Sequence, residues 1–230
     1  MPMTLAQAIE GTQDRLNELG STGVAWQLSS LRRWINEAVQ DIARRTETLL
    51  VNEDLAIDIG DSGVQLPADV LRVHQVAYTE GTDRTIALEY RAFNAIDATW
   101  YANTTTAVQA RPREFTLRGA PPNLELLVNP RPSVAGTITV HYYKLPAKLA
   151  TDGTDDTDQL EVVEAYTDLV LDYACFLALR RDRDPRWQEH RLAYEENLKA
   201  MLDQTRHWSD QAAHVNRQGN SVPDWIVYPY

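Results

Sequence analysis

The feature that most constrains this chain is a double change of hydrophobic period: helical spacing near the start, alternation by two through the middle, and helical spacing again towards the end. Leu31, Ile35, Ala38, Val39 and Ile42 recur at the interval that stacks side chains on one helical face, while Arg32, Arg33, Glu37 and Asp41 fall elsewhere. This predicts a helix capped by Ser29 or Ser30 and ending near Thr46. Upstream, Thr4 can cap a helix reaching about Leu19, with Leu5, Ala8, Ile9, Leu16 and Leu19 on one face and Gly20 as its stop. Residues 1–46 are therefore expected to form a helical hairpin.

Residues 47–150 read as a β-rich insert of about six short strands. Leu55, Ile57 and Ile59 alternate with polar or small residues, and Gly60-Asp61-Ser62-Gly63 then precedes Val64 and Leu66, which predicts a hairpin. Pro67 to Val70 is expected to turn into a strand through Val73 to Tyr78, and Gly81-Thr82-Asp83 to lead into Thr85 to Tyr90. Residues 91–101 suggest a short helix carrying Phe93, Ile96 and Trp100. Strands are expected again at 114–117, 124–128 and 137–143, set apart by GAPPN and NPRPSVAG.

Helical spacing returns with Leu160, Val163, Tyr166, Val170, Tyr173 and Leu177, and the run Arg180 to Pro185 breaks it. Pro185 is placed to open a last helix to about Trp208, with Trp187, Tyr194, Leu198 and Met201 on one stripe. The expected fold class is α+β: residues 151–208 pack on residues 1–46 as a helical bundle around the inserted β unit, and residues 209–230 form an extended C-terminal arm.

Composition narrows function mainly by exclusion. The net charge is -11, and Asp152, Asp155, Asp156, Asp158, Glu161 and Glu164 follow one another with no basic residue between them. A chain without a basic stripe is poorly made to grip a phosphate backbone, so DNA is expected in passage only, without specific binding. No window is apolar enough for a membrane span and the start has no leader pattern, so no membrane contact is expected and synthesis is placed in a cytosol. The single cysteine, Cys175, sits in an apolar helix and reads as a small core residue.

Catalytic, cofactor and metal sites are all expected to be absent. The phosphate-loop, dinucleotide and nucleophile-elbow patterns are missing, and Gly60-Asp61-Ser62-Gly63 reads as turn chemistry. His74, His141, His190, His207 and His214 are scattered without metal-ligand spacing. The acidic run does not follow the alternation of a calcium loop and reads as a solvated segment ahead of a helix. Asp182 and Asp184 lie among arginines, which points to ion pairing. Trp26, Trp34, Trp100 and Trp187 are expected in a core or an interface.

The candidate site is instead the chain's last segment, VPDWIVYPY, where Trp225, Ile226, Tyr228 and Tyr230 follow a polar stretch. Large apolar side chains of this kind either fold back or anchor on a partner, and Pro223 and Pro229 lower the cost of ordering an extended strand. A partner-docking arm is the expectation, with self-packing as the alternative.

Four segments carry a resemblance. LRRWINEAVQDIARR, QLPADVLRVHQVAY, GTITVHYYKLPAKL and EVVEAYTDLVLDYACFLALRRDRDP, in this order within residues 4–202, resemble the head-to-tail adaptor (connector) proteins of tailed bacteriophages. The resemblance implies a non-enzymatic structural protein at the virion neck, made in the host bacterial cytoplasm. It further implies a ring, commonly a dodecamer, that binds the portal protein above and a tail or nozzle protein below, with a central DNA channel. Two alternatives stand beside it: another phage ring subunit, such as a tail terminator or tail-tube component, and an enzyme with a carboxylate site assembled by the fold. A tail-tube protein would be expected to be dominated by strands, and an enzyme to hold carboxylates of raised pKa in a pocket.

Overall fold

A computed structural model of the chain describes residues 3–16, 26–81, 84–92, 109–149 and 157–218, with backbone only over 205–218. Most of the expected 91–101 helix, Asp152, Asp155 and Asp156 of the acidic run, and all four arm residues lie outside the described residues. The fold is α+β, with helical segments at both ends of a β-rich region. Two compact units result: Met1–Leu49 with Pro146–Tyr230, and Leu50–Leu145.

The first unit contains α1 (Leu5–Arg15), α2 (Leu28–Thr46), α3 (Thr167–Asp182) and α4 (Trp187–Gln218). At the start of α1 the Thr4 hydroxyl accepts from the Gln7 amide while the Gln7 side chain accepts from the Thr4 amide, so two exposed donors are satisfied reciprocally. Neither Ser29 nor Ser30 caps α2: its N-cap is Gln27, with no side-chain bond. The entry to α2 is set by packing, because buried Trp26 meets buried Trp34 edge-on at 5.6 Å.

The period beginning at Leu160 is only partly helical. Residues 158–160 are extended and bond to the chain start, through Leu5 N to Asp158 O at 2.8 Å and Leu160 N to Met3 O at 2.9 Å. A 3-10 turn at Glu164–Tyr166 then leads into α3. Leu169, Val170, Leu171, Ala174, Cys175, Phe176, Ala178 and Leu179 of α3 are all buried, more than one face of a helix can present, so α3 is the central helix of its unit. Arg15 fastens α1 to α3, bonding Asp172 at 2.5 Å and Asp168 at 2.6 Å.

Arg183, at φ 60°, ends α3, and Asp184 accepts from the Arg186 amide at 2.9 Å before α4 begins. α4 passes the expected end at Trp208 and continues to Gln218, so residues 209–218 are helix and not extended arm. The reason is in the sequence: no Gly or Pro occurs between Pro185 and Gly219.

The described residues of the second unit form eight strands: β1 (Leu50–Ile57), β2 (Gly63–Gln65), β3 (Val70–Glu80), β4 (Arg84–Ala87), β5 (Glu89–Tyr90), β6 (Glu114–Arg118), β7 (Glu125–Asn129) and β8 (Gly136–Lys144). They form two four-stranded sheets, ordered β1-β8-β3-β4 and β2-β7-β6-β5. The expected hairpin between Leu55 and Leu66 does not exist. β1 pairs antiparallel with β8, Leu55 facing Ile138, whereas β2 pairs with β7, Val64 facing Leu126. Gly60, at φ 79°, and the Asp61 N to Asp58 O bond turn the chain from one sheet to the other. Ile57, Tyr78, Ile138 and Val140 of one sheet and Phe115, Leu126 and Val128 of the other share a single buried core, so the unit is a β-sandwich.

Candidate functional site

The sequence-selected polar residues take structural roles. Asp184 forms an ion pair with Arg186 at 2.7 Å, and this guanidinium holds its carboxyl below the usual carboxylate range. His74 packs edge-on against Tyr143 at 5.6 Å, and His190 lies 3.4 Å from Asp172. Of the acidic run, Glu161 accepts from the Ala147 amide at 3.1 Å. Cys175 is fully buried, and burial pushes its thiol up to about 12, which leaves no nucleophilic thiolate at neutral pH. Among the described residues no three His, Cys, Asp or Glu side chains gather where a metal could sit. Tyr142 donates between Glu53 at 3.2 Å and Asp69 at 3.4 Å, and burial raises its pKa.

What the helical unit does assemble is a cleft of about 580 Å³ across α2, α3 and α4. Its floor is a ladder of aromatic rings: Trp187 to Phe176 at 6.0 Å, Phe176 to Tyr173 at 5.8 Å, and Tyr173 to Tyr194 at 5.0 Å. Arginines frame both ends, with Arg180 over the Phe176 ring at 5.8 Å and Arg45 over Tyr194 at 5.7 Å. Each ring is delivered by a different part of the hydrophobic pattern. Tyr173 and Phe176 sit one helical turn apart on α3, and Trp187 and Tyr194 sit two turns apart on α4.

The cleft's carboxylates are already engaged. The Tyr194 hydroxyl donates to Asp41 at 2.6 Å, and burial together with this carboxylate raises the tyrosine's pKa. Glu195 accepts two bonds from Arg45, at 3.0 and 2.6 Å, which lowers the glutamate's pKa and raises the arginine's. Arg180 and Arg191 also line the cleft, Arg191 adding to the charge that lowers the Glu195 pKa. A smaller cleft of about 380 Å³ adjoins it, sharing Asp41 and Tyr173 and lined further by Arg33, Gln40 and Lys148.

Half-buried rings, here Tyr173 and Trp187, beside exposed arginines suit recognition of another chain. The sequence pointed to Trp187, Tyr173 and Tyr194 as apolar positions only. Phe176, Arg45, Arg180 and Arg191 went unselected because no local spacing joins residues from three helices. The arm residues Trp225, Ile226, Tyr228 and Tyr230 lie outside the described residues.

No curated protein matches the chain. A family model described as SU10 adaptor protein matches residues 3–219, which takes in both the helical unit and the sandwich.

Proposed function

The chain belongs to the SU10 adaptor protein family, whose members are structural phage proteins, and from that premise we propose that it is a head-to-tail adaptor acting as one subunit of a ring at the virion neck. The ring, of about twelve copies as the resemblance implies, binds the portal protein on one side and a tail or nozzle protein on the other. DNA passes through its centre. The observation that carries this reading is the extent of the family match, residues 3–219, which leaves neither unit unaccounted for.

The physical properties support the role. With a net charge of -11 the chain would let DNA slide past without gathering phosphates along its surface. Many of its arginines are spent on internal pairs, among them Arg15 with Asp172, Arg45 with Glu195 and Arg118 with Glu125. The segment with Trp225, Ile226, Tyr228 and Tyr230 would supply anchors for a neighbouring protein.

Cryo-electron imaging of the intact particle tests the reading. The expected result is a symmetric ring at the head-tail junction whose subunits accommodate the described helices α1 to α4 and the described sandwich strands. Finding the chain only in the tail tube or the capsid shell would overturn it.

A further inference from the structure

We infer that the aromatic and arginine cleft of the helical unit receives residues 223–228 of a second copy of this chain, with Asp224 paired to Arg191 or Arg180 and Trp225 stacked on the Trp187–Phe176 end of the ring ladder. This deepens the ring reading, naming the surface and the segment by which one copy would hold the next.

Three observations lead there. First, the cleft offers cationic charge beside aromatic rings. Asp41 and Glu195 are engaged by Tyr194 and Arg45, while exposed Arg180, over the Phe176 ring, and exposed Arg191, near Glu195, line the cleft of a strongly acidic chain. Trp187, half-buried like Tyr173 while Phe176 and Tyr194 are buried, lines the cleft with them.

Second, the chain carries a segment of matching chemistry. Asp224 immediately precedes Trp225, and Ile226 and Tyr228 follow between Pro223 and Pro229. An anionic group next to a large ring is what a cleft of exposed arginines beside half-buried rings would recognise.

Third, the segment cannot reach the cleft of its own chain. Arg191 lies 27 residues before the end of α4 at Gln218, about 40 Å along the helix axis. Asp224 is six residues past Gln218, and even a fully extended backbone covers only about 22 Å over that span. An arginine and an aspartate side chain together do not bridge the difference. With α4 of this length, an occupant from this segment would come from a second copy of the chain.

The test is a titration of the full-length chain into a fluorescein-labelled peptide of residues 220–230, followed by anisotropy. Saturable binding is expected. It should weaken about tenfold when the chain carries Arg191→Glu and by a similar factor when the peptide carries Trp225→Ala. An Asp224→Arg peptide should recover binding on the Arg191→Glu chain. Arg191 is exposed, so that variant should melt as the parent does, and Arg180→Glu serves in its place if it does not. Absence of saturable binding up to about 1 mM, the weak limit of specific recognition, would overturn the inference. So would binding indifferent to both arginines, or a peptide that ignores the chain and binds purified portal protein instead. Because no other particle protein is needed, a negative titration removes the cleft proposal while leaving the adaptor reading to the imaging experiment.

Discussion

Thr116 shows how a single residue can hold back stability. It is fully buried in β6, and its hydroxyl has no hydrogen-bond partner among the described residues. A buried donor left without a partner costs about 1–3 kcal/mol, whereas a methyl group of the same size costs nothing in that place. Thr116→Val is therefore expected to stabilise the protein by about 1 kcal/mol, read as a higher denaturant midpoint with an unchanged slope. A lower midpoint would show that the hydroxyl does find a partner. Glu195 supplies a pH-dependent case. The Arg45 guanidinium lowers its folded pKa below the ordinary 4.5, so its contribution is complete above that value and is lost as pH falls through the folded pKa. Both side chains are more than a third exposed, which limits the pair to about 0.5 kcal/mol. Glu195→Gln should show that deficit at pH 7 and match the parent once pH is well below the carboxylate range; a deficit that persists in acid would mean the substitution disturbs packing instead. Neither residue was legible as special in the sequence. Thr116 looks like any threonine in a strand, and Arg45 and Glu195 lie on helices far apart in the chain.

At the scale of elements, the sandwich depends on backbone approaches that only glycine permits. A Cβ on Gly136 would stand 2.5 Å from the Thr79 carbonyl oxygen and 2.7 Å from the Tyr78 ring. Tyr78 is itself fixed, buried and donating to the Val134 carbonyl at 2.7 Å, so it cannot yield. Gly136→Ala is expected to cost about 3 kcal/mol as an overpacked core site, measured by chemical denaturation; a loss under about 0.5 kcal/mol would mean that β8 shifts freely. The same region marks the limit of sequence reading. Alternation by two identified strands near 55–59, 73–78, 114–117, 124–128 and 137–143, because each buries one face. It did not identify partners: β1 finds β8, some 80 residues away, and the Gly60 turn joins two sheets where local chemistry suggested one hairpin. Turn residues report that the chain bends, while the choice of sheet depends on which apolar faces close together. The helices were more legible, since each is set by its own spacing. Thr4 caps α1 as expected, but the starts of α2 and α3 were not legible, because Trp26 packing and the extended 158–160 segment override the local signals.

For the whole molecule the question is what the last residues contribute. Residues 209–218 continue α4, so the proposed arm shortens to residues 219–230, where Trp225, Ile226, Tyr228 and Tyr230 are concentrated. The sequence singled out this aromatic segment as a candidate arm, which lies outside the described residues; the cleft proposed to receive it was not legible, since its rings and arginines converge only when α2, α3 and α4 pack. If the arm serves association, removing residues 225–230 should leave the melting temperature within about 1 °C of the parent, because little of the chain's own core is touched. Attachment to the particle should suffer far more. Each aromatic anchor at a well-packed interface contributes on the order of 2 kcal/mol, and the loss is repeated at every subunit of a ring, so weakening is multiplied around the closed assembly. Thermal unfolding and co-sedimentation with assembled particles, measured on the same truncated protein, separate the two roles. A large fall in melting temperature with attachment unchanged would show that these side chains belong to the fold of their own chain and not to the joint between chains.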